Sequence, residues 1–263
     1  MKLCVCGSLS EIPSAGFSAS LAAVVGILAQ RPTLLIDLGD EPNELRQAFG
    51  LGDVDGIERL VAQYIRACTF ATDDVRRQIV QYTAPPEMEL GNRGFGFIPG
   101  PTVVTKRFLD RLVAQRGAGF AELLIKECRE LEFESLVIHL GCFLDTLRGE
   151  AVIKEADLVT LYERGPASVD AKAYLDQWTT KRRRQVPIKV GACVVVIPEA
   201  VLAFPDRRFV ESLVDSSKEY ESAASRSALN CAEILYPSIR SELVDGHGDQ
   251  LWPYINLWRV LFG

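Results

Sequence analysis

Two hydrophobic patterns alternate along the chain. Short runs of apolar residues, several of them bounded by Gly or Pro, are typical of strands buried on both faces of a sheet. Strands are predicted at Leu3–Cys6, Thr33–Leu38, a short run ending near Ile98, Glu134–Gly141, Asp157–Tyr162 and Ile188–Ile197. Longer segments with helical apolar spacing lie between them. This alternation predicts an α/β fold with a mostly parallel central sheet and helices on both faces, in three layers.

Helices are predicted in the segments between the strands. The first is rich in alanine and valine and follows Ser18; the others are predicted at 41–50, Asp55–Thr69, Asp73–Tyr82, Thr102–Gln115, Gly119–Leu131, Leu144–Ala156, from Pro166 toward Lys181, and over much of the chain after Phe209. The apolar face of Asp55–Thr69 consists of Ile57, Leu60, Val61 and Ile65. We expect that face to be buried. The sequence shows no internal repeat or linker, so a single domain over residues 1–263 is predicted.

Composition and charge limit the classes of function. With 263 residues, 48% of them hydrophobic, the chain is long enough to bury one large core. Its net charge of -6 argues against a general binder of nucleic-acid backbones. The one dense basic run, Lys181–Arg184, suits the end of a solvated helix, because cations are favourable at a helix C-terminus. A local contact with nucleic acid or anionic lipid is the alternative.

The seven cysteines are scattered and contain no CxxC pair. Cys4 and Cys6 alternate with apolar residues, so both are predicted on the same side of one strand. We expect buried free thiols rather than metal ligands, which fits a reducing cytosol. No charged-then-apolar leader precedes Pro13, and no apolar run reaches the roughly 20 residues that span a bilayer. A soluble cytoplasmic protein is predicted.

The segment from Lys2 to Asp40 has the layout of a phosphate-binding unit. A short strand ends at Gly7, a loop of small residues is predicted over Ser8–Ser18, and a helix and a strand ending in Asp37 follow. In a P-loop of this layout, backbone N–H groups and a lysine hold the phosphates, and a Ser or Thr holds magnesium. No lysine lies between Lys2 and Lys106. The scaffold is therefore predicted without its phosphate clamp.

Three short segments carry a family resemblance: Gly16–Ser20, Leu28–Arg31 and Leu34–Asp37. They are similar to a loop of the form GKGGVGKT, a helix ending near AQRG and a strand ending LLIDxD in the MinD/ParA family of deviant-Walker P-loop ATPases. The order of elements extends the resemblance over most of the chain. Further segments resemble the pilus-assembly branch, CpaE/TadZ: Phe97–Pro101, Glu155–Val159 and Pro166–Ala171.

The resemblance implies a nucleotide site whose charged groups are replaced. Phe17 lies where the phosphate-binding lysine belongs, and Ser18 lies at the magnesium-binding hydroxyl. Ile12 lies at the lysine that family members extend across their dimer. In the Walker B strand, Val137–Gly141, His139 replaces the aspartate that organises magnesium. Since phosphoryl transfer depends on positioning and charge neutralisation, two such losses predict a pseudo-ATPase.

Other positions of the remnant site are implied by the same resemblance. Gly7 and Gly16 bound its loop, Asp37 is the catalytic carboxylate by position, and Asp40 is a second acidic residue. Both aspartates also fit a polar strand end followed by a turn, and His139 alternatively fits a metal ligand or a base. No metal site and no cofactor are expected, and ATP with magnesium is expected only if the site is active in a rearranged form.

An aromatic, amphipathic helix is predicted over residues 251–263. Its apolar face is formed by Leu251, Tyr254, Ile255, Trp258, Leu261 and Phe262, and Trp252 lies at its start. Members of the family related to MinD carry a C-terminal membrane anchor, but this tail has one cation, Arg259, whereas an interfacial helix carries several. We therefore expect Trp252, Tyr254, Trp258 and Phe262 to contact the domain or a partner; membrane contact is the alternative.

The resemblance implies a non-hydrolysing localisation, assembly or regulatory factor. It would bind itself as a homodimer, through a face that includes Ile12, and other proteins of a pilus, secretion, motility or division machinery. A partner would recruit it to the membrane or the cell pole. The alternatives are an active ATPase with a rearranged nucleotide site, and a DNA-associated partition factor that uses Lys181–Arg184.

Overall fold

A seven-stranded sheet organises the protein, whose computed structural model describes residues 1–8, 15–39, 45–46, 49, 51, 54–83, 94–102, 119–141, 151–163, 189, 191–198 and 224–239. The strands are β1 Lys2–Ser8, β2 Thr33–Asp37, β3 Val80–Thr83, β4 Gly94–Ile98, β5 Ser135–Gly141, β6 Leu158–Glu163 and β7 Cys193–Pro198. Their spatial order is β3-β4-β2-β5-β1-β6-β7. The edge pair β3–β4 is antiparallel, and the other pairs of this sheet are parallel. The predicted mostly parallel sheet is confirmed.

Helices cover both faces of the sheet. They are α1 Ala15–Ala23, extended by a π-helical segment Val24–Leu28, α2 Ile57–Ala67, α3 Thr72–Arg76, α4 over residues 119–129, and α5 Ala224–Leu235. Successive strand residues point to opposite faces. Val5 and Ile36 therefore share a buried cluster with α2 and α4, whereas Cys6 and Leu35 share one with α1 and α5. The predicted three-layer α/β/α arrangement is confirmed.

The helix predicted at Asp73–Tyr82 is wrong for most of its length. α3 ends at Arg76, and β3 begins at Val80 and pairs with β4. Val80 lies opposite Phe97 in that pair, and Tyr82 lies opposite Phe95. Pairs of β-branched and aromatic residues across strands stabilise a sheet. The spacing of apolar residues within one segment does not contain this long-range pairing.

The buried face of α2 differs from its predicted face at one position. Three predicted core residues are buried: Ile57, Leu60 and Val61. Ile65, also predicted to be buried, is 47% exposed, while the neighbouring Tyr64 is 8% exposed. The ring of Tyr64 packs edge-on against Phe120 and Phe70, with centroid distances of 5.5 and 6.4 Å. An aromatic ring buries more area than an isoleucine side chain and also gains these ring contacts. Tyr64 therefore faces the core in place of Ile65.

The last strand is shorter than the predicted Ile188–Ile197. It begins at Cys193, after a turn in which the Ala192 amide donates to the Lys189 carbonyl over 2.9 Å. Gly191 has a φ of 85° in this turn. Glycine adopts that left-handed region without a steric penalty, which explains why the chain bends here although its apolar run continues.

The thiols behave as predicted at some positions and not at others. Cys4, Cys6, Cys128 and Cys231 are buried and free, whereas Cys68 and Cys193 are exposed. The Sγ atoms of Cys4 and Cys6 lie 3.9 Å apart, which confirms that both side chains are on one side of β1. Burial, followed by the contact with Cys6, raises the pKa of the Cys4 thiol well above its ordinary value. Cys4 is therefore a protonated, weakly nucleophilic thiol at neutral pH.

Several predicted features lie outside the described residues: Ile12, Asp40, nearly all of Thr102–Gln115, the helix from Pro166 toward Lys181, the Lys181–Arg184 run, and the tail with Trp252, Tyr254, Trp258 and Phe262. Of the helix predicted at 41–50, residues 45, 46 and 49 are described; 45 and 46 are helical, and 49 lies in a turn. In the ranges that the structure describes, no helix is long and apolar enough to cross a membrane.

Candidate functional site

Polar side chains meet at the carboxyl ends of the central strands. Asp37 ends β2 and pairs in register with His139 of β5, and His139 pairs in turn with Cys6 of β1. Residues in register on parallel neighbours point to the same side of a sheet. For these three that side faces α1, because Cys6 lies in the buried cluster that includes α1 residues. The topology thus brings together two residues that the sequence singled out far apart, Asp37 and His139.

The first turns of α1 complete this site. Gly16, Phe17 and Ser18 belong to the helix, which begins at Ala15, so the loop predicted over Ser8–Ser18 ends earlier than expected. The Ser20 hydroxyl donates to the Gly16 carbonyl over 2.7 Å. The helical start explains the burial of Phe17, which is 4% exposed and lies in the core cluster on this face. Its ring packs among the other buried apolar side chains of that cluster.

A hydrogen bond joins α1 to β5. The Ser18 hydroxyl lies 3.0 Å from Nδ1 of His139, and both residues are buried. Ser18 donates if Nδ1 is unprotonated, and accepts if Nδ1 carries the proton. Two of the predicted site residues, one from α1 and one from β5, are therefore in direct contact.

Gly39 separates His139 from Asp37. Its amide donates to Oδ1 of Asp37 over 2.9 Å. A Cβ atom at this position would lie 2.8 Å from Nε2 of His139 and 3.0 Å from Oδ1 of Asp37. Distances this short require a shift in the surroundings, so the close approach of imidazole and carboxylate to the backbone requires glycine here.

A second glycine covers the other oxygen of the same carboxylate. A Cβ atom on Gly100 would overlap Oδ2 and Cγ of Asp37. Gly100 follows β4, whose Ile98 pairs with Ile36 of β2. Two backbone segments thus lie against the two oxygens of Asp37, which is 1% exposed.

A buried ion pair holds the segment that contains Gly100. Arg46 is 3% exposed, and its NH2 group donates to both carboxylate oxygens of Glu58, at 2.9 Å each. Its Nε donates to the Gly100 carbonyl over 2.9 Å. The guanidinium is thus bonded to both a carboxylate and the backbone carbonyl of Gly100.

Gly7 lies at an irregularity in the sheet. The register between β1 and β5 shifts after Cys6, so that Gly7 pairs with Gly141, whose φ is 55°. Both strands end at this point beside the site. In the described part of the chain, no three His, Cys, Asp or Glu side chains are arranged to hold a metal ion.

Sequence reasoning missed four residues of this site: Gly39, Arg46, Glu58 and Gly100. Gly39 and Gly100 follow predicted strands, and Gly100 lies between two prolines, which is a recognisable signal for a tight backbone path. No periodic pattern links Arg46 to Glu58. Arg46 precedes α2 and Glu58 lies in its first turn, so their side chains meet only once the two segments have folded against each other. The ion pair was therefore not predictable from spacing.

Comparison with known proteins supports the fold. No protein-family model and no curated protein matches the sequence. A ParA-family ATPase from Chlorobium tepidum TLS is similar in structure, with a TM-score of 0.52 at 14% identity over 98% of this chain and 97% of that one. A plasmid partition protein from Borrelia burgdorferi gives 0.53 at 14% identity over 89% and 97%. Cobyrinic acid a,c-diamide synthase from Mycobacterium smegmatis gives 0.54 at 14% identity over 89% and 95%.

The chain has the MinD/ParA-like fold. The predicted resemblance is thereby confirmed at the level of the fold, while the pilus-assembly branch stays a prediction. In open α/β sheets of this kind, ligands bind outside the carboxyl ends of the strands. Asp37, His139 and Ser18 lie at that edge of the MinD/ParA-like fold.

Proposed function

We propose that this protein is a pseudo-ATPase with the MinD/ParA-like fold, which acts through protein–protein contacts as a localisation, assembly or regulatory factor. The observation that carries the proposal is the hydrogen bond of 3.0 Å between Ser18 and His139. By resemblance, these positions hold the hydroxyl and the carboxylate that organise magnesium in active relatives. Here they bind one another.

The chemistry of this pair disfavours magnesium. Mg²⁺ requires oxygen ligands at about 2.0–2.1 Å in near-octahedral geometry, usually with carboxylates and phosphates. An imidazole in place of the carboxylate removes a negative charge and offers a nitrogen. Its nearest nitrogen is already hydrogen-bonded to the hydroxyl that the metal would need. Binding a metal there would require breaking this buried bond.

The phosphate side of the site supports the same proposal. Phe17, at the position of the phosphate-binding lysine, is packed into the core. A lysine neutralises phosphate charge, and a buried ring supplies none. Phosphoryl transfer depends almost entirely on positioning and charge stabilisation. On this proposal the site supplies neither, because Phe17 takes the place of the lysine and His139 takes the place of the carboxylate. No ATP, magnesium or other cofactor is expected to be needed.

The partners follow from the same replacement of charged groups. By the resemblance, Ile12 takes the place of the lysine that members of the family extend across their dimer. We therefore propose a homodimer that forms without nucleotide and binds other components of a pilus, secretion, motility or division machinery. A cytoplasmic location, with recruitment to the membrane or cell pole by a partner, belongs to this proposal, as do the contacts of the aromatic tail.

Analytical ultracentrifugation tests the assembly part of the proposal. We expect a dimer at micromolar concentration with the same mass in the absence and presence of ATP and magnesium. Ile12→Asp should shift the mass toward the monomer, because a charge in an apolar interface is costly to bury. A wild-type protein that is monomeric under both conditions, or that dimerises only with ATP, would contradict the proposal.

A further inference from the structure

The side chains of Arg46 and Glu58 join three segments of the chain, one of which contains Gly100 and covers Asp37. Arg46 donates to the Gly100 carbonyl after β4 over 2.9 Å, and it also donates to the Val54 carbonyl ahead of α2. It reaches Glu58, in the first turn of α2, through two bonds of 2.9 Å. One guanidinium therefore bridges the segment after β2, the start of α2 and the end of β4.

Glu58 fixes the same segment from the other side. The Thr102 amide donates to Oε1 of Glu58 over 2.8 Å, and the Ile57 amide donates to the Pro99 carbonyl over 3.0 Å. At Gly56 a Cβ atom would overlap the Pro99 carbonyl oxygen. The segment Pro99–Thr102 is thus held at its start, middle and end.

This attachment determines how Asp37 is covered. Gly100, whose carbonyl is bound by Arg46, is the residue that lies against Oδ2 of Asp37. If Arg46 lost its ionic partner, a cation that is 3% exposed would be left without compensation, which strongly favours its movement toward solvent. Gly100 would then lose its side-chain attachment to Arg46.

We propose that Arg46 and Glu58 form a latch that holds Pro99–Thr102 closed over Asp37, and that opening of the latch exposes the Asp37 carboxylate. The two residues act as positioning residues, since they act on Asp37 through the backbone. The latch controls the remnant site, so its biological meaning rests on the proposed function. Exposure of Asp37 is nevertheless measured without nucleotide, so a failure of the latch and a failure of the pseudo-ATPase proposal are distinguishable.

Carboxylate labelling tests the latch. A water-soluble carbodiimide with an amine nucleophile converts accessible carboxylates to amides, and mass spectrometry gives the labelling rate at each residue. In the wild-type protein, Asp37 should be labelled far more slowly than Asp73, whose side chain is 72% exposed. Glu58→Gln should raise the rate at Asp37 by about tenfold or more, the change expected when hydrogen bonds to a charged group are weakened.

Matched variants distinguish local opening of the latch from destabilisation of the whole protein. Glu58→Gln keeps an oxygen for the Thr102 amide and should fold, and Arg46→Lys tests the other partner because lysine lacks the planar fork of arginine. Arg59→Lys alters an exposed ion pair with Asp55 in the same region and should leave labelling unchanged. Hydrogen exchange of the Val137 amide, in the buried central strand β5, reports global opening.

Two outcomes would overturn the latch. One is protection of Asp37 that stays at the wild-type level in both Glu58→Gln and Arg46→Lys. The other is a rise at Asp37 that is matched in proportion by faster exchange of the Val137 amide, since this would show unfolding of the molecule rather than local opening. Faster hydrogen exchange confined to the Thr102 and Ile57 amides is expected alongside selective labelling of Asp37.

Discussion

At the scale of single residues, the site is defined by close approaches that leave no room for additional atoms. The imidazole of His139 is held between the Ser18 hydroxyl and the backbone of Gly39, and Asp37 lies against Gly39 and Gly100. Protein interiors are packed tightly enough for one methyl group to matter. The contact between Ser18 and His139 can therefore be tested through the glycine on the other side of the ring.

Gly39→Ala should destabilise the protein by displacing His139. The added Cβ would lie 2.7 Å from Cδ2 and 2.8 Å from Nε2 of the ring. Overpacking of this kind costs about 1–3 kcal/mol. Urea denaturation of both single variants and of Ser18→Ala/Gly39→Ala gives a double-mutant cycle, with Ser18→Ala alone expected to cost about 1–3 kcal/mol because it removes a buried hydrogen-bond partner.

The cycle should be non-additive. If the alanine at position 39 acts by breaking the Ser18–His139 bond, removing Ser18 as well adds less than its single effect, and residues that share a partner commonly couple by about 0.5–3 kcal/mol. Strict additivity of the two changes would show that the clash is relieved elsewhere and that the bond is not the affected contact.

At the scale of elements, the carboxyl and amino ends of the central parallel strands differ in chemistry. The carboxyl edge has the buried hydroxyl, imidazole and carboxylate. At the amino edge, Asp157 precedes β6 and accepts from the Leu3 amide of β1 over 2.8 Å and from Lys189 over 2.6 Å. This carboxylate joins β1, β6 and the turn before β7.

The Asp157 attachment should make stability depend on acidity. Burial acts to raise the pKa of this carboxyl, but the hydrogen bond from Lys189 and that from the Leu3 amide outweigh it, so the pKa is lowered. A lowered pKa in the folded state stabilises the protein above the unfolded value of about 3.9, and this contribution is lost as the pH falls through the folded value. Asp157→Asn should therefore be less stable than the wild type at pH 7, with a difference that shrinks below about pH 4.

Urea denaturation at pH 7 and at acidic pH measures this difference. Lys189→Gln provides the matched control, because it removes the side-chain partner of Asp157. In a protein that carries Lys189→Gln, the further change Asp157→Asn should cost less stability, and this cost should depend less on pH. A difference between wild type and Asp157→Asn that stays constant or grows on acidification would contradict the assignment.

At the scale of the whole molecule, the sequence pattern was sufficient for the layers and for most strands. Runs such as Thr33–Leu38 and Ser135–Gly141 are buried on both faces, so continuous apolarity identified them. It failed at β3, whose identity as a strand depends on pairing with β4, and at Ile65, whose exposure depends on the aromatic cluster around Tyr64. These features depend on contacts between distant segments, which local spacing does not contain.

The same distinction holds for the candidate site. Asp37, Ser18 and His139 could be selected from their positions relative to strands and motifs, and the structure brings the three together. The residues that cover Asp37 could not be selected in this way. Arg46 and Glu58 are ordinary charged residues in the sequence, and their partners, including the Gly100 carbonyl and the Thr102 amide, are fixed by the folded backbone.

Isothermal titration calorimetry with ATP, ADP and magnesium measures whether the site has lost its nucleotide chemistry. We expect no magnesium-dependent binding by the wild-type protein or by Asp37→Ala, because by resemblance Phe17 and His139 stand at the positions of the phosphate-binding lysine and the metal-organising carboxylate. Magnesium-dependent binding of ATP by the wild-type protein that Asp37→Ala abolishes would contradict the claim and establish an active, rearranged nucleotide site.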